Sequence, residues 1–204
     1  MIGQLPTQLT IGGIEYEIVT DFRAVLECFQ MFMDDSLEAE DEEVELYEKW
    51  LCCIYLMLSK YDSIDQVEDD LQRGILPLNE AAEKLKWFFN GGGEEECRER
   101  PPVYDWENDE QLIFSAVNDV ARMETRLCPY IHWWTFLGYF NQIGEGLFAT
   151  VINIRNKMNK GKKLEKYERE FVNEHSNMFR RRDRVSKEKQ NVLDKLNSGE
   201  MWNE

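Results

Sequence analysis

The sequence predicts a mainly α-helical protein: a helical bundle with a short N-terminal β-hairpin and an extended amphipathic C-terminal helical tail. Three observations carry this expectation. Apolar residues recur at helical spacing from Phe22 nearly to the C-terminus, strict apolar/polar alternation is persuasive only over residues 7–19, and Lys and Arg crowd into the last fifty residues.

Leu9 and Ile11 alternate with polar neighbours, Gly12-Gly13 follow, and Ile14, Tyr16 and Ile18 alternate again. This is the pattern of two strands joined by a two-residue turn whose glycines permit positive φ. A lone hairpin is marginal in water, so its apolar face is expected on helices or against strands of another molecule. Phe22, Val25, Leu26, Phe29 and Met33 then share one face of a helix beginning near Asp21. After the acidic stretch Glu38 to Glu45, a second helix carries Tyr47, Trp50, Leu51, Ile54, Tyr55 and Leu58 on more than one side, which makes it central. Ser63, with Gln66 three residues on, has the form of a capping box for a short helix ending near Gly74. Pro77 suits the first turn of a helix running to about Phe89.

Residues 90–102 combine Gly91-Gly92-Gly93, Glu94-Glu95-Glu96 and Pro101-Pro102, the composition of a flexible loop or hinge. Beyond it, Asp105 is placed to cap a helix that turns Leu112, Ile113, Ala116, Val117 and Val120 inward. A turn through Cys128-Pro129 leads to an aromatic helix over 131–143, and a further helix covers about 147–158. Leu164, Tyr167, Phe171 and Met178, at heptad-like spacing among charges, predict one or two amphipathic helices in the tail. The chain is therefore expected to divide into a helical body, 1–158, and a charged helical tail, 159–204.

A chain of 204 residues, 43% hydrophobic, can bury one core with a small appendage. Its 40 acidic and 24 basic residues give a net charge of −16, which disfavours a nucleic-acid partner. The charge is unevenly placed: residues 1–152 hold 10 Lys/Arg and 31 Asp/Glu, residues 153–204 the other 14 and 9. A solvated helix rich in both signs gives this split, and so does a basic tail that pairs with the acidic body of a neighbouring copy. The five cysteines lack disulfide-framework spacing and read as reduced thiols of a cytosolic protein. Met1 to Pro6 has no charged or long apolar region of a signal peptide, and no apolar run reaches the ~18 residues of a membrane span.

Catalysis needs a constellation of acid, base or nucleophile, and histidine is scarce, with His132 and His175 alone available. Cys128 and His132 form half a zinc site at best, since no second Cys/His pair completes four ligands. The vicinal Cys52-Cys53 lie among apolar residues as space-filling thiols, Gly91-Gly92-Gly93 lacks the Gly-Lys-Ser/Thr ending of a phosphate loop, and the acidic patch from Glu38 to Glu45 lacks EF-hand spacing. No catalytic, cofactor-binding or metal-binding residue is therefore expected, and no cofactor. In the run from His132 to Phe140, the stripe Trp133, Phe136, Leu137 and Phe140 reads as core, while Trp134 and Tyr139 fall on another face. With Tyr16, Tyr167, Phe171 and the basic cluster Arg180, Arg181 and Arg182, they are the candidate protein-binding residues.

Three ordered motifs resemble a known family: Leu5-Pro6 through Gly12-Gly13-Ile14-Glu15-Tyr16-Glu17-Ile18 to Thr20-Asp21-Phe22-Arg23; Tyr104-Asp105-Trp106-Glu107-Asn108-Asp109 with Ile113-Phe114-Ser115-Ala116; and His132-Trp133-Trp134-Thr135-Phe136. Together they cover roughly residues 5–158 and resemble the gene-product-fifteen family of siphophages and Gram-positive prophages. The resemblance implies, largely from gene order in such phages, a tail-assembly chaperone encoded before the tape measure. Such a chaperone coats the tape-measure protein, keeps it soluble, recruits tail-tube subunits and self-associates, acting in the host bacterial cytoplasm without nucleic acid or membrane. A structural virion component of the tail or connector is the alternative. An enzyme or nucleic-acid module on an unrecognised helical fold is the third.

Overall fold

The computed structural model describes residues 3–33, 42–93 and 103–179. The fold is mainly helical with an N-terminal two-stranded hairpin, as the sequence predicts, while the tail beyond residue 179 lies outside the described residues. The described chain falls into two compact units, 3–33, 42–93 and 130–137 in the first, 103–129 and 138–179 in the second.

The first unit opens with β1 (Gln8–Ile11) and β2 (Ile14–Glu17), antiparallel, with Leu9 opposite Tyr16 and Ile11 opposite Ile14. Gly12 and Gly13, at φ +57° and +77°, make the turn, since two consecutive left-handed residues match the twist of the flanking strands. Gly12 is fixed twice over. A side chain there would meet Pro77 at 3.0 Å, and its N–H donates to Glu80 Oε2 at 3.0 Å. The hairpin buries Leu9, Ile11 and Tyr16 and leaves Ile14 exposed. It is also extended: Val19 N–H donates to the Met57 carbonyl, and Ser59 N–H to that of Glu17. The apolar face of the hairpin thus lies on helices of its own chain, and Ile18 and Leu58 form an isolated antiparallel bridge just beyond it.

Helix α1 (Phe22–Met33) begins at Asp21, whose Oδ1 accepts the Arg23 N–H in an N-cap bond. Helix α2 (Glu42–Met57) buries Leu46, Trp50, Leu51, Cys53, Ile54 and Met57, confirming a central helix. Within it Glu45 is no solvated acid, because it is buried and paired with Lys49 one turn on, Nζ to Oε1 at 2.7 Å. Helix α3 (Ile64–Gln72) starts after Ser63, but the Ser63 side chain makes no capping bond; Gln66 Oε1 instead accepts the N–H of Asp62. Pro77 stands one residue outside α4 (Leu78–Phe89), not within its first turn.

In the second unit, α5 (Glu110–Ala121) is preceded by a turn that Asp105 caps, Oδ1 accepting the N–H groups of Glu107 and Asn108. Asp105 therefore acts one turn ahead of the helix it was expected to cap, and Asp109 takes the N-cap position. A 3-10 turn at Thr125–Leu127 follows, with Thr125 buried and both its N–H and hydroxyl on Asn118 Oδ1. Helix α6 (Trp133–Asn141) gives its first five residues to the first unit and its last four to the second. Helices α7 (Leu147–Asn159) and α8 (Lys166–Glu174) and a 3-10 turn at Ser176–Phe179 complete it. The core of this unit is supplied by Phe148, Val151 and Ile154 of α7, with Ile113, Phe114 and Val117 from α5.

Candidate functional site

His132 stands at the start of α6, where both ring nitrogens are engaged. Nδ1 accepts the Trp134 N–H at 3.0 Å, capping the helix, and Nε2 lies 2.9 Å from the Pro6 carbonyl oxygen. An acceptor at Nδ1 places the proton on Nε2, so the imidazole donates to Pro6. The same segment pairs with residues 20–22: Phe22 N–H donates to the Ile131 carbonyl, Trp133 N–H to that of Thr20, and Ile131 N–H to Asp21 Oδ2. The first and third family-like motifs are thus stitched edge to edge, with His132 fastening the chain before β1.

The two following tryptophans close the end of α4. Trp133 Nε1 donates to the Phe89 carbonyl at 2.9 Å and Trp134 Nε1 to that of Phe88 at 2.8 Å, adding side-chain donors to the last carbonyls of the helix, of which that of Phe88 also accepts the Gly91 N–H. Gly91 and Gly92, at φ +68° and +84°, turn the chain out of the helix, with Gly92 N–H on the Trp87 carbonyl. A side chain at Gly92 would stand 2.7 Å from the Trp134 ring. Gly91 and Gly92, expected at the start of a loop, therefore belong to a helix cap packed against Trp134. Residues 94–102 of that loop lie outside the described residues.

Trp133 and Phe136 are buried, as the sequence predicts, with Phe136 stacked on Phe22 at 4.3 Å and Phe29 edge-on to Trp133 at 5.7 Å. Phe140, expected in the same core stripe, is half-buried among Tyr104, Trp106 and Phe148 of the second unit.

Of the candidate protein-binding residues, Tyr16 is 2% exposed and packed beside Tyr61, which takes it off the surface. Trp134 is half-buried, edge-on to the partly exposed Trp87. Tyr139 and Phe171 are half-buried, Phe171 lying 4.5 Å from the His175 ring, and Tyr167 is 65% exposed. Arg180, Arg181 and Arg182 lie outside the described residues. Tyr16 and Trp134 belong to the first unit, and Tyr139, Tyr167 and Phe171 to the second.

Sequence reasoning missed three features. Arg155, half-buried on α7, donates to Asp109, to the Val103 carbonyl and to the Met178 carbonyl, tying three segments of the second unit. Leu127 is 83% exposed on the 3-10 turn; the sole sequence signal was an apolar residue off helical spacing before Cys128-Pro129. An open cleft of about 450 Å³ between the end of α7 and α8 is lined by Lys157, Lys160 and Lys162. The half zinc site dissolves at His132, whose nitrogens both serve the fold. Burial pushes the Cys53 thiol well up, and Cys28 hydrogen-bonds to it, which suppresses thiolate chemistry. Among the described residues no cluster of His, Cys, Asp or Glu is arranged to hold a metal ion, and no helix is long and apolar enough to cross a membrane.

These features define a helical protein whose distinctive polar and aromatic side chains fasten segments to one another. The chain belongs to the bacteriophage Gp15 protein family, whose family model matches residues 1–180. The match extends the sequence resemblance in both directions and includes α8. The family points to a phage structural or assembly protein. No curated protein and no solved structure matches the chain.

Proposed function

We propose that this protein is a non-catalytic tail-assembly chaperone that binds the tape-measure protein of its phage and helps recruit tail-tube subunits, working in the host bacterial cytoplasm. The observation that carries the reading is the family match over residues 1–180, which covers both units. Two physical features support it. A net charge of −16 keeps a carrier of apolar helices in solution, and Leu127 and Tyr167, the most exposed large apolar residues described, offer footholds for an apolar helix. Tyr139, Phe171 and Trp134, half-buried, can add contact area at modest ordering cost.

Co-expression tests the reading directly. With the chaperone present, tape-measure protein moves from the pellet to the supernatant and the two co-purify; Leu127→Asp with Tyr167→Asp weakens that complex. Mass spectrometry of purified virions completes the test. A tape measure left insoluble, together with fixed-stoichiometry presence in the particle, replaces the chaperone by a structural component of the tail or connector.

A further inference from the structure

One face of α7 ends in donors that the fold leaves unused. Asn153, Asn156, Lys157 and Lys160 fall at i, i+3, i+4 and i+7, the spacing of a single helical face, and all four line a cleft whose other wall holds Tyr167 and Glu168 of α8. Gly161, at φ +63°, turns the chain after α7, and Lys162 N–H takes the Lys157 carbonyl, so Lys162 joins the same cleft from beyond the turn. Glu168, buried in the wall, is matched by Lys157, Nζ to Oε1 at 2.6 Å. The side chains of Asn153, Asn156, Lys160 and Lys162 make no hydrogen bond or ion pair with another described residue. The cleft therefore presents two unmatched ammonium groups and two amides with free donors.

Its volume of about 450 Å³ lies in the range of small-molecule sites. The surrounding sequence keeps its sign, since residues 153–169 carry seven Lys/Arg and two Asp/Glu. We propose that this cleft binds a compact, multiply charged phosphate compound of the oligophosphate class. Ammonium groups on flexible stems serve phosphate oxygens as point charges, whereas a carboxylate is held best by the planar fork of arginine, and no arginine lines the cleft. A concavity lined by charges of one sign focuses their field, so a ligand with several negative charges gains more there than one with a single charge. Lys160 and Lys162 meet phosphate oxygens, and the Asn153 and Asn156 amides donate to others. Compactness follows from the charge of the whole chain: a nucleic acid runs beyond the roughly 10 Å over which these lysines act at about 0.1 M salt, into the field of a protein at −16. The inference rests on the cleft and goes beyond the tape-measure reading.

The probe is sodium triphosphate, titrated calorimetrically into the full-length protein in metal-free buffer. Binding should saturate at a single site per chain and weaken as salt rises. Lys160→Gln with Lys162→Gln should weaken it by about tenfold or more, because two charge-assisted contacts are lost. Lys163→Gln with Lys166→Gln removes the same charge from positions that do not line the cleft and should leave the affinity within about twofold of the parent. All four lysines are exposed and the Lys157–Glu168 pair is untouched, so both variants should melt with the parent. Citrate, whose charges are carboxylates, should bind more weakly than triphosphate. Equal losses in the two double variants would mark diffuse attraction and overturn the proposal, as would the absence of saturable binding below about 1 mM. Citrate binding as tight as triphosphate overturns the choice of phosphate. Tighter binding of single-stranded oligo-dT than of triphosphate, lost in the Lys160→Gln/Lys162→Gln variant, overturns it in favour of nucleic acid. No tape measure enters these titrations, so their failure leaves the chaperone reading to its own test.

Discussion

Arg155 grips Asp109 with both ends of its guanidinium, Nη1 to Oδ2 at 2.6 Å and Nη2 to Oδ1 at 2.8 Å. The pair is largely enclosed, with Asp109 9% and Arg155 20% exposed at the side chain. Planar fork meets planar carboxylate, an arrangement lysine cannot reproduce. Asp109 Oδ2 also accepts the Asp105 N–H, and Arg155 Nε and Nη2 reach the Met178 carbonyl, so one side chain joins the entry of α5 to the last described turn.

Removing that fork should destabilise the second unit. Arg155→Met leaves the Asp109 carboxylate enclosed without its cation, and a loss of about 3 kcal/mol is expected. Arg155→Lys keeps the charge but not the geometry and should recover only part of it. Asp109→Asn with Arg155→Met should cost less than the two single losses added, since neither charge is then left alone. Urea melts of the parent, Arg155→Met, Arg155→Lys, Asp109→Asn and the double variant settle the matter; additive losses would show that the contact carries little energy.

His132→Ala removes a helix cap and the donor to Pro6 together, and should cost about 1–3 kcal/mol. His132→Asn restores a cap but is too short to serve both partners, so its loss should be intermediate. Amide exchange gives the residue-level readout: the Trp134 N–H should exchange faster in the alanine variant. Unchanged Trp134 protection would mean that the cap is dispensable.

At Gly92 two effects act in the same direction. A side chain would occupy a left-handed conformation, costing roughly 1–2 kcal/mol, and would push on the Trp134 ring 2.7 Å away. Gly92→Ala should therefore destabilise the first unit and shift tryptophan emission, whereas Gly93→Ala, whose nearest neighbour is 3.5 Å away, should stay within about 0.5 kcal/mol of the parent. Equal melts for the two variants would count against a packed cap.

Much of this architecture was legible because local signals agree. The two-residue turn at Gly12-Gly13, the face of Phe22, Val25 and Phe29, and the buried pair Trp133 and Phe136 are written in spacing that a single element enforces. What the sequence could not supply are choices made by partners distant in the chain. Gly91-Gly92-Gly93 reads as a loop from composition and becomes a cap because Trp134, forty-two residues after Gly92, needs the room. Tyr16 was a candidate interface aromatic by residue type, yet it is buried beside Tyr61, forty-five residues further along the chain. Arg155 looked like one charge among many in a basic stretch, since nothing local distinguishes a buried fork from a solvated one. The candidate protein-binding residues were chosen by residue type, aromatic and basic, and spacing alone did not reveal that Tyr16 is buried or that the described candidates divide between two units; the Arg180 cluster lies outside the described residues.

Glu168 gives the second unit a predictable acid response. The hydrogen bond from Lys157, and then the backbone N–H of Glu165, hold its carboxyl below the ordinary value of 4.5. Those two bonds also explain the conformation: the carboxylate closes a capping box at the start of α8 and ties that helix to α7 through Lys157. A carboxyl whose folded-state pKa is depressed stabilises the fold at pH above its unfolded value, and the contribution disappears as pH falls through the folded value. Glu168→Gln keeps an acceptor for the cap but discards the charge, so the parent should melt higher than the variant at about pH 7. That difference should shrink steadily once pH drops below 4.5, where the parent's carboxyl begins to bind a proton that the glutamine never takes up. Thermal melts by circular dichroism across that range read the difference directly, and a gap that stays constant on acidification would show that the Lys157–Glu168 charge pair contributes nothing to holding α8 on α7.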